Sequence, residues 1–168
     1  KFIKAQAGVQ YVTAGGLEKL YEDSALRRQY GQPEIIQLAR AIQKEITFHQ
    51  VDDFILSASD AFQLLTEVAL TKSSNPVELK PLLGPAQAFI SPIGVSRPAT
   101  VKREAFYETV REVSAYCKTN KRMPSSVWIG SIAISPADYL ATIAYEVERG
   151  YLSVAVLDGG YVTLRSGN

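Results

Sequence analysis

One cysteine, one histidine, one methionine and one tryptophan occur in 168 residues, and each scarcity removes a class of chemistry. A lone cysteine, Cys117, excludes an internal disulfide, and its small apolar side chain reads as part of a core. A lone histidine, His49, cannot assemble the usual zinc site of three or four His, Cys, Asp or Glu ligands, and no cysteine pair stands nearby. It reads as a loop residue. The same histidine would have to serve any nucleophilic triad, and no serine sits in Gly-x-Ser-x-Gly. Neither Gly-x-Gly-x-x-Gly nor a P-loop occurs, so Gly15-Gly16 is a turn signal and no nucleotide cofactor is expected. Asp52-Asp53 lacks the spacing of a calcium loop. The chain by itself is therefore expected to be no enzyme, with no metal and no cofactor.

Charge of one sign is lacking as well. With 18 basic against 17 acidic residues there is no global field to hold a nucleic acid or an anionic membrane, and partners must be recognised locally. No apolar run approaches the roughly 18 residues of a membrane span, so no membrane insertion is expected. The start, Lys1-Phe2-Ile3-Lys4, has neither an initiator Met nor the blocks of a signal peptide, which suggests a chain that begins inside a longer precursor. What is present in quantity is apolar: 46% of residues, enough to bury a core in one domain or two small ones.

Lys1 to Ala7 has the look of closing helical turns, and Val9 to Thr13 alternates like a short strand. Leu17, Leu20 and Tyr21 fit a short helix, and Tyr30-Gly31-Gln32-Pro33 is a turn whose proline suits a helix start. Ile35, Leu38, Ala39, Ile42 and Ile46 then fall at helical spacing. After a polar break, Phe54-Ile55-Leu56 leads into a second helix with Phe62, Leu65, Val68 and Ala69 inward. Five of the eight prolines crowd between Pro76 and Pro98, which excludes a long helix or a central strand and marks a connector. Phe106, Val110, Val113 and Cys117 resume the helical pattern. Val127-Trp128-Ile129 and Ile132-Ala133-Ile134 read as short strands about a Gly130-Ser131 turn, and a last helix carries Tyr139, Leu140, Ile143 and Val147 to Gly150. The tail pairs Val154 and Val156 with Val162 and Leu164 across Asp158-Gly159-Gly160, a hairpin signal.

Leu56-Ser57-Ala58-Ser59-Asp60-Ala61-Phe62 aligns without a gap on Ile134-Ser135-Pro136-Ala137-Asp138-Tyr139-Leu140. Physics explains why Ser57 and Asp60 recur as Ser135 and Asp138: the hydroxyl accepts an orphan amide hydrogen at the helix start, and Asp three residues on reaches back to the serine N–H. A helix pair of some 40 residues cannot cover its own apolar face, so two such units are expected to share a core with the connector wrapped outside. The expected fold is α+β and predominantly helical, with two helix–(short strand)–helix repeats packed together and a C-terminal β-hairpin. The divisions are an N-terminal segment over 1–31 that ends a preceding α/β unit, a first, degenerate repeat over 32–75, a Pro-rich connector over 76–99, a second repeat over 100–150 and a tail over 151–168.

The second unit, from Ala105 to Glu148, resembles the pseudomurein-binding repeat: a helix ending near Tyr116-Cys117-Lys118, then Asn120-Lys121-Arg122-Met123-Pro124-Ser125-Ser126-Val127-Trp128-Ile129-Gly130, then Ile134-Ser135-Pro136-Ala137-Asp138-Tyr139-Leu140. That family favours helix, Asn-Gly-Lys/Arg-Leu-Pro-x-x-Val, a short hairpin, Ile-Ser and a helix with an early aromatic. Lys121 stands where the family favours Gly, and Trp128 is unusually large for its position. The beginning, Ala7 to Thr13 followed by Leu17 to Tyr21, is similar to the stretch after the catalytic barrel of some large polysaccharide deacetylases. Leu83-Gly84-Pro85 and Arg122 to Gly130 echo the accessory part of the same proteins, whose metal-binding catalytic part is absent here.

These resemblances imply an accessory, extracellular or cell-surface module whose partner is a cell-wall glycan or glycopeptide. The candidate contacts are Trp128, Arg122, Lys121, Tyr107, Tyr116 and Tyr139, since rings stack on sugar faces and cations meet carboxylates. Such side chains also fill cores. Two alternatives stand beside docking: a portion of a deacetylase whose active site lies elsewhere, and a self-assembly domain that forms a homo-oligomer through apolar connector residues such as Phe89 and Ile90.

Overall fold

A computed structural model describes residues 25–71, 75–90, 99–152 and 160–167. The expected helix and strand before Gly15, most of the 1–31 segment and the first arm of the tail hairpin lie outside the described residues. Among the described residues eight short strands and four helices follow in the order β1 (Gln29–Tyr30), α1 (Gln32–Lys44), β2 (His49–Val51), β3 (Phe54–Leu56), α2 (Ala58–Thr71), β4 (Val77–Glu78), β5 (Thr100–Lys102), α3 (Arg103–Asn120), β6 (Val127–Ile129), β7 (Ile132–Ile134), α4 (Pro136–Leu152) and β8 (Tyr161–Thr163). The fold is α+β and mostly helical, and every strand belongs to a two-stranded antiparallel pair.

The pairing reveals what repeats. β1 pairs with β4, and β2 with β3; β5 pairs with β8, and β6 with β7. Each unit is thus strand, helix, hairpin, helix, strand, with its first and last strands closed on each other. Both hairpins turn through two residues whose first, Asp52 at φ 52° or Gly130 at φ 59°, has a left-handed backbone. Asp tolerates that region better than most side chains because its short polar group bonds locally.

The serine caps have the same geometry in both copies. Ser57 N–H and Oγ–H both donate to Asp60 Oδ2 at 2.7 Å, and Asp60 N–H returns a bond to Ser57 Oγ at 3.2 Å. Ser135 and Asp138 repeat the three bonds at 3.3, 2.7 and 3.0 Å. Helix α1 has a related lock, Gly31 N–H on Glu34 Oε2 at 2.8 Å.

The two units cross-pack. Helix α1 lies mainly along α4, and α2 lies against α3 and α4. Exchanging the units carries the α1–α4 pair onto α3–α2, so the chain is an internal pseudo-dimer in which each first helix covers the other unit's second helix. Phe62, Phe106 and Tyr139 meet in its centre, with Tyr139 centroids 5.0 Å from Phe62 and 6.1 Å from Phe106. At the rim, Glu148 on α4 takes Arg40 Nε and Gln43 Nε2 from α1, each at 2.7 Å.

Three expectations need correction. The connector does not simply wrap outside: Val77–Glu78 closes the first unit, Leu79 is fully buried, and Leu83 forms a parallel bridge with Arg122. Gln63 fixes it there, donating from Nε2 to the Glu78 carbonyl and accepting from Lys80 N–H. The second arm of the tail hairpin, Tyr161–Thr163, pairs with Thr100–Lys102, so the last repeat does not end at Gly150 but extends through β8. His49 lies in strand β2, where Nε2–H donates to the Glu45 carbonyl at 2.7 Å.

Candidate functional site

Strand alternation decides which apolar residues of a hairpin must face outward, because a half-buried strand can turn only every second side chain inward. In Val127-Trp128-Ile129 the flanking residues are buried and Trp128 is 54% exposed. Its strand is held on both sides, by the ladder to β7 and by Thr109 Oγ1–H donating to the Trp128 carbonyl at 2.9 Å. The indole is therefore a large ring presented from a fixed backbone. Tyr116 on α3 is also exposed.

Lys121 caps α3 in a left-handed conformation at φ 52°, its N–H bonded to the Cys117 carbonyl. A glycine would occupy that region at no steric cost. Arg122 is half-buried and donates from Nη1 to the Gly84 carbonyl at 3.3 Å, so part of its donor capacity is spent on the connector.

Of the six proposed contacts, one is wholly buried and one stands in the wall of a cavity. Tyr139 is fully buried and shares a hydrogen bond with Thr66 Oγ1 at 3.2 Å; burial drives its hydroxyl far above the usual phenol range. It is a core residue with no exposed surface, because its early helical position points to the pseudo-dimer's centre. Tyr107 is half-buried beside Arg103 and Glu146, in a cavity of about 240 Å³ between α2, α3 and α4, and burial raises its pKa. Arg103 Nη1 is paired with the Glu146 carboxylate, which is 3% exposed.

A second surface collects exposed aliphatic and aromatic residues. Phe48, Ile55 and Leu83, exposed by 71, 68 and 60%, line a depression of about 580 Å³ together with Leu26, Pro81, Leu82 and Lys121. Pro81, Leu82 and Lys121 also line an adjoining cleft of about 290 Å³, so the two hollows form one groove. The cleft adds Arg27, Lys80 and Lys118 against Glu67 and Glu78. Lys118 pairs with Glu67 at 3.0 Å. Cys117 borders the cleft from its buried side, and burial pushes its thiol up to about 11.

Of the six candidate ligand contacts only Lys121 lines this groove, where the cap residues Ser57 and Asp60 also lie. Ile55 was legible by the same argument as Trp128, since the triple Phe54-Ile55-Leu56 must turn its middle residue outward. Phe48 lay in an apparent polar break, and Leu83 joins it only through the bridge to Arg122. Ile90 is exposed and Phe89 half-buried. Among the described residues no group of His, Cys, Asp and Glu is arranged to hold a metal, and no helix is long and apolar enough to cross a membrane. Comparison with protein-family profiles, curated proteins and solved structures returns no match to the chain.

Proposed function

We propose that the chain is a non-catalytic binding or docking module that holds an extracellular polysaccharide-processing protein against a cell-wall glycan or glycopeptide. The observation that carries the reading is Trp128: a tryptophan more than half exposed, on a strand locked to its hairpin partner and to α3. An aromatic face fixed in advance loses little conformational freedom when a flat apolar sugar face stacks on it. The resemblance of Arg122 to Gly130 to a wall-binding repeat supports the same assignment.

Co-sedimentation with insoluble cell-wall polymer tests it. Aromatic stacking is worth about 0.5–1.5 kcal/mol, so Trp128→Ala should weaken retention by about two- to tenfold, given about 1.4 kcal/mol per tenfold in affinity. The indole is exposed, so the variant should unfold at the same urea concentration as the parent. Equal retention of the two proteins refutes the assignment.

A further inference from the structure

The groove between the first unit, the connector and the end of α3 has a chemistry different from that of the Trp128 face. Its wide half is walled mainly by Ile55, Leu82, Leu83 and the Phe48 ring, which favour apolar side chains; the polar groups that also reach it, Ser57 and Asp60, are bonded to each other as the cap of α2. Monomeric proteins seldom leave several large apolar residues exposed side by side unless something covers them. Its narrow half carries surplus positive charge. Lys118 is spent on Glu67, but among the described residues no ion pair engages Arg27, Lys80 or Lys121, and Glu78 is the one further carboxylate there. Lys121 stands where the halves join, held by the capped end of α3 and by its carbonyl bond from Leu83 N–H at 3.0 Å.

We infer that this groove docks a peptide segment of a partner protein in which apolar side chains alternate with carboxylates. The apolar residues enter between Phe48, Ile55 and Leu83, and the carboxylates meet Arg27, Lys80 and Lys121. Charge complementarity selects the sign of the partner, and the aliphatic walls select a peptide over a glycan. The inference does not rest on glycan binding, and each survives failure of the other.

Fluorescence anisotropy of the full chain with a labelled peptide of Leu and Phe interspersed with Glu tests it. Two control peptides replace every Glu by Lys, or every apolar residue by Ser. Saturable binding of the first peptide alone is expected, weakening as salt rises because the cationic rim is solvent-exposed. Lys121→Glu and Ile55→Ser, both at exposed positions and checked by circular dichroism, should each weaken it at least tenfold, whereas Trp128→Ala should leave it unchanged. Equal affinity for the acidic and basic peptides, wild-type binding by both groove variants, or no saturable binding would overturn the inference. So would sedimentation equilibrium showing a dimer that Ile55→Ser dissociates, since the groove would then be covered by a second copy of this chain.

Discussion

Replacing Asp60 or Asp138 by Ala removes the same capping group from the two copies of the repeat, but the structure makes the losses unequal. Among the described residues Asp60 accepts from Ser57 alone. Loss of such a cap costs about 1 kcal/mol, and removal of an anion from the first helical turn adds about 0.3–1 kcal/mol. Asp138 does all this and more: its Oδ1 accepts Gly167 N–H at 3.0 Å, and it is 5% exposed. The terminal segment is pressed onto α4 at this point, with Arg165 N–H on Thr142 Oγ1 at 2.9 Å. It fits so closely that a Cβ on Gly167 would stand 2.5 Å from the Ala137 carbonyl carbon. Stranding the Gly167 N–H adds about 1–3 kcal/mol. Asp138→Ala should therefore cost about 3 kcal/mol against about 1.5 kcal/mol for Asp60→Ala. Urea unfolding followed by far-ultraviolet circular dichroism reads the difference as a shift in midpoint at constant slope. Gly167→Ala should reproduce part of the excess. Equal costs, or a larger cost at Asp60, would refute the reasoning that the terminal strap makes the second cap the stronger.

Three further outcomes follow from the geometry. Arg103→Leu leaves the buried Glu146 carboxylate without its partner and should cost about 3 kcal/mol, while Arg103→Leu with Glu146→Leu should recover most of that; a double-mutant cycle in urea measures it. The Glu148 carboxyl is held below its usual value by hydrogen bonds from Arg40 and Gln43. Its contribution is therefore complete above the unfolded carboxyl pKa and vanishes as pH falls through the lower folded one, so the stability gap to Glu148→Gln should close across that acidic window. Lys121→Gly relieves a left-handed backbone and should stabilise the fold by about 1 kcal/mol in thermal unfolding, while abolishing the Lys121 contribution to peptide docking.

Patterns of local spacing made the four described helices, the duplicated cap and the short strands Val127–Ile129 and Ile132–Ile134 readable from the chain alone, because each is dictated within a few residues. A serine three positions before an aspartate closes the same ring of hydrogen bonds wherever it opens a helix, as Ser57 and Ser135 do. Period-two alternation turns out the middle residue of Val-Trp-Ile as surely as that of Phe-Ile-Leu. Tertiary packing decided the rest. It drew Tyr139 into the core, since an aromatic early in a helix satisfies a sugar-binding pattern and a buried pattern equally well, and only the neighbouring Phe62 and Phe106 separate them. Tertiary pairing also gave Thr100–Lys102 and Tyr161–Thr163 to each other across about 60 residues of chain, and brought Phe48, Ile55, Leu83 and Lys121 around one groove. No local rule contains such neighbours, because which surfaces meet is fixed by the apolar area that two incomplete units must hide in each other.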